Sequence, residues 1–371
     1  MSVKKWLFFC LSLVISPAIL AQIVVTDLAG RDVVLEQTAQ RFIISEGRYL
    51  STLAILRDKS PVEGLVGMLS PVGFSDAIFE EKLYAAFPEA KDIPLFGSQD
   101  EGSVSAEKII DLQPDLAIFG IQDHGPGANN KELLNQLSAA GVKVVFIDFR
   151  LDPLNNTLPS LQLLGKVLGE DDNAQTYIRF YQNKMRAIRE RVQRAPSRPT
   201  VFLQAHAGRL PCCIAMADGM LGPFIEFAGG TNIADKVAPG PTSQHTAEFL
   251  LIEDPDVWIG TASGTYAEFH DGGKALTNGP GVPTSMAQNS LKAYLDQPEF
   301  RALRAVRTHR AHSLWHNFYN SPMNIVALEA FAKWIHPELF SNFDPSQTRD
   351  HIYKTYFPFW VDGTYVSTLE P

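Results

Sequence analysis

The sequence predicts an α/β protein of two lobes joined by a single long, rigid helix. Three observations carry this. Brief apolar runs alternate with amphipathic stretches through both halves, a mid-chain stretch holds an unbroken helical stripe, and a pattern in the first half recurs in the second. With 371 residues, 45% hydrophobic and 20% charged, the composition excludes collagen-like, low-complexity and wholly disordered chains. The length suits about two domains. Lys and Arg number 32 against 41 Asp and Glu, a net charge of −9. Such a surface argues against a nucleic-acid or anionic-membrane binder.

At the N-terminus, Lys4 and Lys5 precede an apolar run over residues 6–15, followed by Ser16-Pro17-Ala18-Ile19-Leu20-Ala21. Residues 1–21 therefore read as a secretory signal peptide cleaved after Ala21, with Ala18 the alternative. The run is shorter than the ~20 residues a membrane span needs, and Pro17 breaks it. Cys10 leaves with this segment. Cys212 and Cys213 are neighbours, which is no disulfide framework. A bridge between adjacent residues closes a strained ring, so two small buried thiols are expected.

Residues 22–35 alternate apolar and polar around Ala29-Gly30 and predict a hairpin. Strands are then expected at residues 42–44, 65–68, 116–119, 142–147, 201–203, 257–259 and 311–315. Helical patterns lie between many of them, as at 105–112 and 130–140. Near-continuous apolar strands alternating with helices are the signature of parallel sheets. From 171 to 194 there is no Gly or Pro, and Ala174, Tyr177, Ile178, Tyr181, Met185, Ile188 and Val192 recur at helical steps. Asp171 and Asp172 suit the positive end of that helix, Arg189, Arg191 and Arg194 the negative end. Pro196 and Pro199 stop it. The expected organisation is a first lobe over 22–169, a linking helix over 170–195 and a second lobe over 196–371.

The internal echo sets Ser105-Ala106-Glu107 through Gln113-Pro114-Asp115 and a strand against Thr246-Ala247-Glu248 through Asp254-Pro255-Asp256 and a strand. In each, the hydroxyl residue can cap a short helix and place its Glu in the first turn, facing outward. Pro-Asp ends the helix and starts the strand. Identical spacing in opposite halves points to related lobes.

With these features in place, the sequence resembles the periplasmic substrate-binding proteins of ABC importers for ferric siderophores, haem and vitamin B12. The likeness runs through Val25-Thr26-Asp27-Leu28-Ala29-Gly30-Arg31, Arg41-Phe42-Ile43-Ile44, both echoes, the mid-chain helix, Phe227-Ala228-Gly229-Gly230-Thr231-Asn232 and Leu328-Glu329-Ala330-Phe331-Ala332-Lys333-Trp334. It implies two Rossmann-like lobes with a ligand cleft between them, a monomer in the periplasm, and no catalysis or resident cofactor. It also implies that Glu107 and Glu248 dock onto arginines of an inner-membrane permease.

Ligands of open α/β sheets bind beyond the carboxyl ends of the strands. The segments there supply the expected ligand-binding residues: Arg48 and Tyr49, Arg150, His206 and Arg209, His245, Tyr266, and His316 with Tyr319. Segments 97–101 and 122–124 are further candidates. Arginine recurs at these mouths in an acidic chain, and its fork suits carboxylate, catecholate or oxyanion groups. The alternative for each is a nearby acid, with Glu46, Asp148 and Asp152 available. The stretches just before Glu107 and Glu248 lack aromatic stacking surfaces. A metal-containing anion is therefore expected, with a ferric siderophore ahead of a molybdate-type oxyanion, and cobalamin or haem last.

A secreted metal-dependent hydrolase is the alternative from another class. His309, His312 and His316 would share one helical face, but residues 311–315 fall where a strand is expected. No nucleophile elbow, P-loop or H-E-x-x-H motif occurs.

Overall fold

The computed structural model describes residues 22–370 except 72, 74–75, 99–102, 123–124 and 237–239. The expected signal peptide, and parts of segments 97–101 and 122–124, lie outside the described residues. The chain opens with the hairpin of β1 (Ile23–Thr26) and β2 (Asp32–Leu35), paired antiparallel. Buried Asp27 fastens its turn. Its carboxylate accepts from the backbone N–H of Ala29 and Arg31, from the Arg31 guanidinium and from Phe146 N–H. The Val25-to-Arg31 motif thus has a structural explanation.

The first lobe is a parallel four-stranded sheet in the order β4 (Leu65–Met68), β3 (Phe42–Ile44), β5 (Leu116–Gly120), β6 (Lys143–Ile147). Its helices are α1 (Tyr49–Leu56), α2 (Ala77–Ala86), α3 (Ala106–Asp111), α4 (Lys131–Ala139) and α5 (Pro153–Leu168). Gly169, in the left-handed region, ends α5, and α6 (Asp171–Val192) begins two residues later. The apolar stripe of α6 is its buried face, with Ala174, Tyr177, Ile178, Tyr181 and Ile188 in the core. Aspartates sit at its start and arginines at its end, as its dipole favours.

The second lobe departs from the all-parallel expectation. Its strands are β7 (Thr200–Gln204), β8 (Ile214–Met216), β9 (Thr231–Asn232), β10 (Thr242–Gln244), β11 (Val257–Ala262), β12 (Ala311–Trp315) and β13 (Val366–Thr368). They run in the order β10-β8-β7-β11-β12-β13, with β9 on β7. Strands β7, β9, β11 and β12 are parallel, whereas β8 runs against both β7 and β10, and β13 against β12. The lobe's helices include α7 (Gly222–Phe227), α8 (Ala247–Glu253), α9 (Tyr266–His270), α10 (Thr284–Leu295), α11 (Asn324–Ile335) and α12 (Pro345–Tyr356).

The lobes are fastened by more than α6. One apolar core runs from Val25 through α6 to Tyr365. Within it Tyr181 donates to Asn324 Oδ1 at 2.8 Å, and Asn324 donates to Thr157 at 2.8 Å. The aromatic C-terminal segment adds a second strap, with Phe359 lying 5.3 Å ring to ring from Phe79 of α2 and Phe357 6.4 Å from it. Cys212 and Cys213 stand side by side across a cis peptide bond, with Cys213 buried in the core.

Candidate functional site

The carboxyl ends of β3, β6, β7, β11 and β12 open toward one place between the lobes. Just beyond β3, Arg48 makes a bidentate ion pair with Glu46, Nε to Oε2 at 3.0 Å and Nη2 to Oε1 at 2.9 Å. Its remaining amino group donates to the hydroxyl of Tyr319 across the cleft at 2.6 Å, and the guanidinium lies 5.4 Å from that ring's centre. After β6, Asp148 accepts from the backbone N–H groups of Arg150, Leu151 and Asp152. That carboxylate therefore shapes the turn. The Arg150 side chain instead donates to the carbonyl of Gln122 at 2.8 Å, and its buried Nε has no hydrogen-bond partner among the described residues.

The second-lobe wall is built around two histidines. His206 follows β7 with φ of 48°, a conformation that L-residues rarely adopt and that concentrates at functional sites. Its amide donates to Thr261 Oγ1 at 2.9 Å, and its Nδ1 pairs with Ser263 Oγ at 2.9 Å. Gly208 (φ 79°) permits the next turn, since a Cβ there would strike the Lys274 carbonyl. That turn carries Arg209, which binds Glu268 at 2.5 Å and the Ser263 carbonyl at 2.9 Å. His316 follows β12; its Nδ1 pairs with Thr261 Oγ1 at 2.8 Å. The two imidazoles lie 3.6 Å apart between centres with their planes tilted by 35°, and His316 meets Tyr319 edge-on at 4.8 Å.

Burial first, then Arg209 and Arg48, push the pKa of His206 down to about 4. Burial, then His206, Arg48, Arg150 and Arg209, drive His316 well below the ordinary histidine value. Both rings are neutral at pH 7, each anchored through Nδ1. Charges from both lobes thus act on His316, Arg48 and Arg150 from the first and Arg209 from the second. Two of those arginines already hold an acid, and among the described residues Arg150 is the one of the three without a carboxylate partner. Guanidinium groups beside two neutral rings suit an anion with its own hydrogen-bonding groups.

Three expected site residues stand apart from this cluster. Tyr49 is 2% exposed in the first turn of α1 and packs edge-on against Phe149. Its side chain belongs to the core. His245 follows the edge strand β10, two strands from β7; it bonds Ser243 and stacks on Phe249 of α8, 4.4 Å between centres. Tyr266 is exposed at the start of α9, with its ring parallel to that of His270. Glu107 and Glu248 occupy the expected first turns of α3 and α8, capped by Ser105 and Thr246, and both are exposed. Bonds from its own backbone amide and from Thr246 hold the Glu248 carboxyl below its ordinary range.

Glu268 and Thr261 were not singled out by sequence. Glu268 alone carried a signal, since Thr265 and Glu268 form a capping box that fixes the carboxylate Arg209 meets. The histidines expected of a hydrolase do not assemble. His312 lies in β12 stacked on Trp334, His309 occupies a turn, and no group of three or more His, Cys, Asp or Glu able to hold a metal occurs among the described residues.

The family model for periplasmic binding proteins matches residues 63–314. Among solved structures, a TroA-like periplasmic binding protein FepB from Veillonella parvula superposes with a TM-score of 0.82 at 24% identity, covering 94% of this chain and all of that one. The molybdate-bound periplasmic binding protein MolA of Haemophilus influenzae gives 0.65 at 15% identity, over 92% of this chain and 100% of the other. An ABC-type Fe3+-hydroxamate transport system protein from Saccharomonospora viridis gives 0.56 at 20% identity, over 84% and 98%. No curated protein matches this sequence. No helix among the described residues is long and apolar enough to cross a membrane.

Proposed function

This chain belongs to the periplasmic binding protein family, and we propose that it captures a metal-containing anion between its lobes and delivers it to an ABC permease of the inner membrane. The observation that carries the reading is the meeting of Arg48 and Arg209, from opposite lobes, at the neutral pair His206 and His316, with Arg150 acting on His316 from the first-lobe side. A compact oxyanion needs several unengaged donors around one point. Here Arg48 and Arg209 are already held by carboxylates, and Tyr319 and Trp315 add aromatic surface nearby. A larger chelate with dispersed charge fits that distribution better. We therefore rank a ferric siderophore first, a molybdate-type oxyanion second, and cobalamin or haem third. The kinship of fold with proteins named for Fe3+-hydroxamate and molybdate supports the first two.

Fluorescence titration of the purified protein with ferric siderophores, molybdate and cobalamin tests the ranking. Removing a charge-assisted contact typically costs about 1.5–3 kcal/mol, so Arg150→Ala should weaken ferric-siderophore binding by roughly tenfold or more. Tight cobalamin binding that ignores Arg150→Ala overturns the reading. Delivery is tested separately. Glu107 and Glu248 sit on exposed, capped first turns, so replacing both with Ala should abolish uptake in cells while affinity in solution stays unchanged. A large affinity loss would place them in the pocket instead.

A further inference from the structure

Beside the cluster of arginines and histidines lies a cavity of about 20 Å³ lined by Arg48, Ser51, Asp76, Trp315, Asn317 and Asn320, with Phe79 and Ser321 completing its walls. Asn320 is wholly buried, and neither its Nδ2 nor its Oδ1 has a hydrogen-bond partner among the described residues. An amide left so at both ends forfeits its interactions with water and gains nothing in return, and a buried unsatisfied polar group asks for an explanation. We propose that this cavity is a subsite for an uncharged arm of the ligand, a primary amide or hydroxyl, read by Asn320.

The inference rests on the cleft being the ligand site. Three features select an uncharged group. The Arg48 guanidinium is committed to Glu46 and Tyr319, so no free cation faces an incoming carboxylate. The walls include the rings of Phe79 and Trp315, and a lone charge among them would be poorly solvated. The cavity already resists charge, since burial pushes the Asp76 pKa up to about 7. Size sets the remaining limit. A water-sized group needs about 10–15 Å³ on this measure, so an amide or hydroxyl tip enters and a ring does not. An amide matches Asn320 best, because its N–H meets Oδ1 and its carbonyl meets Nδ2.

The test uses two ferric trihydroxamate chelates that share a core, one ending in a primary amide and the other in the isosteric methyl ketone. Binding is measured by titration calorimetry on the full mature chain. Wild type should prefer the amide by about tenfold. Asn320→Leu should shrink that preference below twofold, weakening the amide more than the ketone because only the amide loses an N–H contact to Oδ1, and Asn320→Ser, a smaller change, should do so in part and serves if the Leu variant does not fold. A preference that survives in these variants overturns the proposal. Equal binding of both chelates by wild type also overturns it and leaves the cavity to a resident water only. If wild type binds neither chelate, the chelate reading of the cleft falls and the subsite with it, an outcome distinct from equal binding.

Discussion

The two walls of the cleft present arginines by the same rule and in opposite conditions. On the first-lobe wall the Arg48 side chain is 9% exposed and clasps a fully buried Glu46; on the second-lobe wall Arg209 is 39% exposed and its partner Glu268 45%. A buried pair resists separation, because either charge left alone keeps its desolvation penalty, whereas an exposed pair is worth little and is exchanged for water or ligand at small cost. An arginine at a strand mouth is therefore available to a ligand according to how readily it leaves its acid. Arg48 is part of the wall. Arg209 is adjustable, and Arg150, held among the described residues by a carbonyl alone, is the most available.

The largest expected effect breaks the rigid wall. Arg48→Ala strands Glu46 in the core and should cost about 3–5 kcal/mol of stability, read as a lower denaturant midpoint. A loss below about 1 kcal/mol would mean that the pair is worth no more than an exposed one, and the contrast between the walls would fail. A smaller effect sharpens the contrast from the other side. Glu268→Gln frees Arg209 and should tighten ferric-siderophore binding a few-fold with little change in stability, while Arg209→Ala should weaken it. Weaker binding by Glu268→Gln would show instead that Glu268 must orient Arg209.

The smallest effect concerns pH. His206 has a folded pKa of about 4, below its ordinary value of 6.5, so the folded protein holds fewer protons there than the unfolded chain between those values. Its contribution to stability is complete above pH 6.5 and is lost as pH falls toward 4. His206→Gln should flatten the decline of the unfolding midpoint over that window. An unchanged slope would move the titration to other groups.

Much of this was legible in the sequence, for reasons that particular residues show. The long helix was expected over 171–194 and ends at Val192, because seven apolar residues at helical steps admit no other period. Strand β12 was placed from its apolar run and the turn that follows it. The capped helices of the echo appear with Ser105 and Thr246 bonding the third residue onward. Strands β8, β10 and β13 were missed; each is three residues long, and long-range pairing decides them, not local pattern. The same limit applies in the site. Position after a strand puts Arg48, Arg150, His206, Arg209 and His316 at the strand mouths between the lobes, but Tyr49 also follows a strand and turns inward with the first turn of α1. Glu268 meets Arg209 across 59 residues of chain, a distance no spacing rule encodes.

In the proposed binding mode, guanidiniums from both lobes hold one anionic ligand at once. A crystal structure of the protein with a ferric siderophore bound tests it most directly. The account predicts ligand oxygens within hydrogen-bond distance of both Arg150 and Arg209, with Arg209 drawn away from Glu268 and Arg48 still clasping Glu46. A ligand seated in the cleft while Arg150 stays on the Gln122 carbonyl and Arg209 stays on Glu268 would contradict it.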